Sequence, residues 1–279
     1  EDLLLDPFVS EPGPPVKAWR NIDGTVVNSG IELGLTGFII DNESTSLSLT
    51  ANISFLNNEL KDYTGAPILT GDLFGQGSSG AFVQIHQDGY QLNTFMVREY
   101  LGLADSGNSI YTDDGNTTFA LGDPNADIIL GFTPSLRINN FSVAANFNGA
   151  FGHQLYNNTA MSVIPIGNLG NRNIDAKLIG GEIQESTANP ITSSSRYLED
   201  GDFIKLSNAT ISYNLGDVGE FKNLNVSLTG TNLLTITDYT GFDPEVNTVN
   251  LRNGVPSSGI EYIPYPTARS VVFGLNVSF

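Results

Sequence analysis

The chain has few side chains of the kinds that do chemistry, and their spacing argues mostly against catalysis. Two histidines, His86 and His153, are the only imidazoles, and there is no cysteine. His86 stands beside the Asp88-Gly89 pair and His153 follows a strand end, so each reads as a surface or lumen residue and not as a general base. The absence of cysteine removes disulfides, thiolate nucleophiles and cysteine-based zinc sites. Carboxylates are plentiful, so neighbours such as Glu199, Asp200 and Asp202 do not by themselves make a glycosidase pair. Asp123, Asn125 and Asp127 alternate as at the start of a calcium loop, but the sixth position is Ile128 where glycine is required and the twelfth is Pro134 where glutamate is required. Asp113, Asp114 and Asn116, around Gly115, are the remaining candidate metal ligands, with a solvated acidic loop as the simpler account. No phosphate loop or dinucleotide fingerprint is present. The expectation is a protein that is not an enzyme, with no metal and no cofactor. Aromatic residues offer a different chemistry, because sugar rings and peptides stack on their faces. Tyr156, Tyr197, Tyr239 and Tyr262 are the candidate contacts for a substrate or a partner protein.

The net charge of −18, from 30 acids against 12 bases, excludes nucleic acid as a partner, since phosphate binding needs lysine and arginine. Thirty glycines and no long stretch rich in Ala, Glu, Lys and Leu indicate an all-β chain of strands and turns. No run of apolar residues is long enough for a transmembrane helix, which says nothing against a barrel.

Period-two patterning gives strands at Gly30 to Ile40, Leu47 to Asn57, Ala81 to Gln87, Gln91 to Leu103, Asp127 to Ile138, Phe141 to Phe151, Phe203 to Leu215, Lys222 to Ile236 and Arg269 to Phe279, with a tenth at Asp2 to Val9. The last strand alternates throughout, with Val271, Phe273, Leu275, Val277 and Phe279 on one face. At about 3.3 Å per residue it is roughly 36 Å long, enough to cross an apolar band of about 25 Å when tilted by about 45°. In Leu47 to Asn57, Leu49, Ala51, Ile53 and Phe55 likewise alternate with Ser48, Thr50, Asn52 and Ser54. Most basic residues fall in loops or at strand ends. Arg98 is the exception, in a segment that does not alternate cleanly. Short connections (Asp41 to Ser46, Asp88-Gly89, Asn139-Asn140, Gly216 to Phe221) alternate with long ones, which puts tight turns at one end of a sheet and long loops at the other. A soluble sandwich or adhesive carbohydrate-binding domain would also alternate, but its strands average only about 5 or 6 residues.

Several stretches, in order along the chain, resemble the SusC/RagA-like TonB-dependent transporters of the Bacteroidota outer membrane. They are RNIDGTVVNSGIELGL (Arg20 to Leu35), LGDPNADIILGF (Leu121 to Phe132), SSRYLEDGDFIKLSNATISYNL (Ser194 to Leu215), TGTNLLTITDYTGFDPEV (Thr229 to Val246) and YPTARSVVFGLNVSF (Tyr265 to Phe279). The resemblance implies a C-terminal wall of about ten antiparallel strands, residues 1–279, from a barrel of about 22 strands filled by a plug. It also implies location in the outer membrane of a Gram-negative bacterium and import of glycans or peptides. The implied partners are membrane lipid, the remaining strands and plug, TonB through that missing part, and a SusD-like surface lipoprotein. Phe273, Leu275, Val277 and Phe279 correspond to the terminal signal for barrel assembly. The alternative within the membrane class is a small barrel of ten strands closing on itself.

Overall fold

The computed structural model describes residues 4–5, 8–9, 16–17, 20–75, 78, 80–245, 247–252 and 254–278. Alternation between apolar and hydroxyl or amide side chains gives seven long strands: β1 (Thr25–Asp41), β2 (Thr45–Lys61), β3 (Ile128–Ile138), β4 (Phe141–Phe151), β5 (Phe203–Val218), β6 (Phe221–Thr237) and β7 (Ser270–Ser278). Each pairs antiparallel with its neighbour in the chain, in one sheet ordered β7-β6-β5-β4-β3-β2-β1. The sheet is open, with β1 and β7 at opposite edges. Closure of this chain on itself as a small barrel is therefore not observed among the described residues.

The register aligns like with like. One row across the wall reads Leu47, Leu136, Val143, Ile211, Leu228 and Phe273, and the next residues on the same strands give Ser48, Ser135, Ala144, Thr210 and Thr229 on the opposite face. The apolar face is uncovered: Leu35 and Phe273 are each 69% exposed, and Leu33, Ile53 and Leu228 belong to the same surface. Contiguous apolar faces of this size mark contact with a lipid or protein surface. A sandwich would bury this face against a second sheet, and no such sheet exists among the described residues. The polar face is knitted by side-chain hydrogen bonds between neighbouring strands, including Thr133 Oγ1 to Asn146 (2.8 Å), Asn146 Nδ2 to Asn208 (2.6 Å), Thr210 with Thr229 (2.9 Å) and Thr231 with Ser270 (2.6 Å).

Three tight turns close one end of the wall. Asn42 accepts from Ser44 N and Thr45 N through its side chain (3.1 and 2.8 Å), Asn139 takes a φ of 49° between β3 and β4, and Gly219 takes 63° between β5 and β6. Asparagine and glycine tolerate that left-handed conformation. The three long connections, 62–127, 152–202 and 238–269, all leave the other end, and together they fold into a separate layer. Its main sheet runs in the order Phe119–Ala120, Thr94–Val97, Phe82–His86 and Ile68–Asp72. Leu73, Val83, Phe95, Val97, Tyr156, Met161 and Ile260, drawn from all three connections, form its buried core.

The observed strands correct the expectations in particular places. Ala81 to Gln87 and Gln91 to Leu103 belong to the loop layer, so among the described residues seven strands form the wall, where about ten were expected. Gln91 to Leu103 breaks into Thr94–Val97 and Tyr100–Leu103 with Arg98 at the break, which explains its irregular pattern. Asp88-Gly89 is a turn of that layer and does not close the wall. Gly89 N donates to Leu60 O (2.8 Å) and Leu60 N to Tyr90 O (2.9 Å), docking the turn on the loop end of β2. Of Asp2 to Val9, only Leu4–Leu5 and Phe8–Val9 are described, as short pairs with Arg20–Asn21 and Val16–Lys17. Phe279 lies outside the described residues, while Phe273 and Leu275 stand exposed on the apolar face, paired with Leu228 and Val226. Val277 is part of the same strand.

Candidate functional site

The loop layer is where side chains of distant sequence converge, and its tyrosines are structural before they are anything else. Tyr156, on the short strand Gln154–Asn157, is fully buried, stacks on Phe95 (6.2 Å between centroids) and meets Tyr197 edge-on (6.5 Å). Its hydroxyl accepts from Ser194 N (3.2 Å) and lies 3.3 Å from Met161 Sδ, and burial pushes the phenol far above its ordinary range. Tyr239 is also buried, and its phenol is raised by that burial and by the carboxylates of Glu261 and Glu199. Tyr262 stacks on Phe74 at 5.2 Å, and burial pushes Tyr197 up to about 12 against the opposing pull of Arg196. Tyr156 and Tyr239 thus fill the core and do not present faces to a ligand. Nothing in the sequence signals this, because partners such as Phe95 and Tyr197 for Tyr156, and Glu261 for Tyr239, lie far away along the chain.

Both histidines are buried, which corrects their assignment to the surface or lumen. Burial lowers the pKa of each. His86 hydrogen-bonds through Nε2 to Asn93 Oδ1. Around His153, the carboxylates of Asp202, Asp200, Asp123 and Asp127 pull in the other direction without overcoming desolvation. The calcium-like run is a side-chain turn: Asp123 Oδ1 accepts from Asn125 N and Nδ2 at 2.9 and 3.1 Å. Among the described residues no three His, Cys, Asp or Glu side chains are arranged to hold a metal ion.

Two ion-pair clusters are built into this layer and its junction with the wall. Arg196 donates to both oxygens of Glu185 (2.7 and 2.5 Å), which also accepts from Asn189 (2.6 Å). Burial pushes the Glu185 carboxyl up, but the Arg196 and Asn189 hydrogen bonds outweigh it and hold the group below its ordinary range. The guanidinium also lies over the rings of Tyr100 and Tyr197, at 5.3 and 5.7 Å. At the junction with the wall, buried Lys205 on the polar face of β5 pairs with Asp243 (3.3 Å) and Glu245. Asp243 also accepts from Thr267 Oγ1 (2.7 Å), so the last long connection is latched onto the wall. A bulge at Ser207 makes this possible, since it shifts the phase of β5 by one residue and turns Lys205 inward.

The candidate ligands Asp113, Asp114 and Asn116 share one tight turn. Asp113 accepts from Thr117 Oγ1 (2.5 Å), and Asn116 Nδ2 donates to Asp113 O (2.9 Å), while Asp114 lines a cavity of about 800 Å³ with Arg98, Tyr111 and the segment Thr187–Ser193. Arg98 Nε donates to Gly115 O at 2.6 Å. This cavity is a concave polar site of the loop layer, and the sequence pointed only to its separate parts.

No family model matches the chain. In sequence it is 28% identical over 321 aligned positions to TonB-dependent receptor P3 of Formosa agariphila, covering all of this chain and 31% of that protein. It is 26% identical over 297 positions to the TonB-dependent receptor SusC of Bacteroides thetaiotaomicron, covering 92% and 27%. In structure it is similar to the RagAB peptide importer in its open-open state, with a TM-score of 0.78, 21% identity and coverage of 100% and 31%. A second structure of the RagAB peptide transporter gives a TM-score of 0.76, with coverage of 94% and 30%. The chain therefore spans about a third of the length of the curated relatives it matches.

Proposed function

We infer that this chain, homologous to the TonB-dependent receptors and SusC/RagA-like in sequence and fold, is the C-terminal part of an outer-membrane importer. It forms a portion of the barrel wall and, with its long connections, the outward mouth. The apolar face meets lipid and the hydrogen-bonded polar face lines the lumen. The edges of β1 and β7 pair with strands of the remainder of the transporter, because unpaired backbone in hydrocarbon costs several kcal/mol per group. TonB acts through that remainder. The loop layer docks a SusD-like surface lipoprotein, and the cargo is a glycan or peptide nutrient. No reaction is catalysed.

One observation carries this reading: an open sheet with an uncovered apolar face and every long connection at the same end. The chain has no cysteine, so single cysteines can be placed in it within the full transporter. On intact cells a membrane-impermeant maleimide should label Gly170→Cys, in a long connection, and spare Asn139→Cys, in a tight turn, until the outer membrane is permeabilised. Equal labelling of both positions on intact cells, or the reverse order, would contradict the orientation. Phe279→Ala should lower the amount of transporter assembled in the outer membrane, and unchanged levels would remove that residue from the assembly signal.

A further inference from the structure

We propose that the cavity between the Thr112–Gly115 turn and the segment Thr187–Ser193 binds a short peptide with free termini, Arg98 receiving its carboxylate and Asp114 its ammonium. The inference rests on the importer reading and narrows its cargo.

The first ground is charge. In an acidic chain, Arg196 is neutralised in place by Glu185 and, at the junction with the wall, Lys205 by Asp243 and Glu245, while Arg172 and Lys177, which form no ion pair among the described residues, do not line the cavity. Arg98 differs. Its Nε is fixed by Gly115 O, and no carboxylate among the described residues forms an ion pair with it, although Asp114 lines the same cavity. A guanidinium oriented through Nε leaves its two terminal nitrogens as a fork, the geometry that grips a carboxylate with two hydrogen bonds. The turn carries its two acids to different ends. Asp113 is spent on Thr117, whereas no described side chain or backbone group donates to the Asp114 carboxylate. Both residues hold left-handed backbone angles, φ 52° and 50°.

The second ground is what the cavity lacks. A neutral sugar needs an open aromatic face and free amides. The aromatic lining the cavity, Tyr111, meets Tyr100 edge-on at 6.1 Å. Asn168 donates its amide to Val163 O, and Asn189 is shared between Ser109 and Glu185. An anionic sugar would satisfy Arg98 but meet repulsion from Asp114. A ligand bearing one charge of each sign satisfies both residues. The volume of about 800 Å³ is in the range of small-ligand sites.

The test is calorimetry on the purified full transporter, with trialanine, N-acetyl-trialanine, trialanine amide, maltotriose and an oligogalacturonate as probes. Trialanine should bind, and blocking either terminus should weaken it about 10-fold or more, the loss expected for a charge-assisted hydrogen bond left unmade. Arg98→Gln should cost as much, and amidation should cost nothing further in that variant; Asp114→Asn and acetylation should behave as the matching pair. Arg98→Lys, which keeps the charge but loses the fork and the bond to Gly115, should recover only part of the affinity lost in Arg98→Gln. The capped peptides test the wild-type protein and so do not depend on how a variant folds. The inference is overturned if trialanine does not bind, if capping leaves its affinity unchanged, or if the sugars bind in its place, above all if Asp114→Asn tightens the oligogalacturonate. A transporter that passes the cysteine-labelling test but ignores trialanine overturns this inference alone. Failure of the labelling test overturns the membrane reading, whatever the cavity binds.

Discussion

The wall and the loop layer are made from one chain by opposite rules. In the wall, large apolar side chains such as Leu33, Ile211 and Phe273 stay uncovered on one face, while on the other Thr210 hydrogen-bonds to Thr229 and Asn146 to Asn208. In the loop layer, Val83, Phe95, Tyr156 and Ile260 are packed inside, as in a water-soluble domain. Of the described buried apolar residues, only Leu60 and Phe203 come from wall strands, and both lie at the loop ends where the two regions meet. The difference shows where each region takes its stability. The loop layer has a hydrophobic core of its own, whereas the wall leaves its apolar face uncovered among the described residues and is held by a continuous hydrogen-bond ladder.

The contrast can be broken first in the loop layer. Phe95→Ala removes a fully buried ring and should destabilise this layer by about 3–5 kcal/mol while leaving the wall assembled. Hydrogen exchange would show faster exchange over Phe82–His86 and Gln154–Asn157 with β3 to β6 unchanged. A loss spread equally over both regions would mean that they fold as one unit. The next effect is on the wall. Ile211→Arg, on the uncovered face near the middle of β5, should cost about 2–4 kcal/mol in membrane assembly, and Thr210→Arg, one residue away on the polar face, less than about 1. Equal costs in an unfolding titration in lipid would refute the two-faced wall.

A smaller effect separates the regions by pH. The Glu185 carboxyl is depressed in the folded protein, so in the unfolded chain it binds its proton at higher pH. The stabilisation it shares with Arg196 is complete above the ordinary carboxylate pKa of about 4.5 and is lost as pH falls through the lower folded value. Exchange protection around Ser186–Arg196 should therefore fall selectively under acid, and Glu185→Gln should abolish that pH step. A step that survives in Glu185→Gln would assign it to another group.

The wall was legible from sequence because a sheet with one apolar and one polar face imposes period two on every strand. Phe141–Phe151 falls at its expected bounds. β1 and β2 run beyond theirs, through Thr25 to Ser29 and Asn58 to Lys61, because backbone pairing continues past the apolar band. The loop layer was not legible for the corresponding reason. Phe82–His86 falls within an expected strand, but nothing in its pattern shows that it is buried along most of its length in the loop layer and not in the wall, and Tyr156, set among polar residues, looked like a surface aromatic until Phe95 and Met161 were brought against it. Arg98 stood out only as an irregularity, and its place beside Asp114 depends on contacts between segments far apart in the chain.

The central claim, that one face of an open wall meets lipid and the other an aqueous lumen, is tested most directly by nitroxide scanning of the full transporter in bilayers. Labels at Val143, Ile211, Leu228 and Phe273 should be accessible to oxygen and shielded from a water-soluble nickel complex, with the opposite pattern at Ala144, Thr210, Thr229 and Val272. Uniform accessibility across the two rows, or oxygen preference on the hydroxyl row, would contradict it.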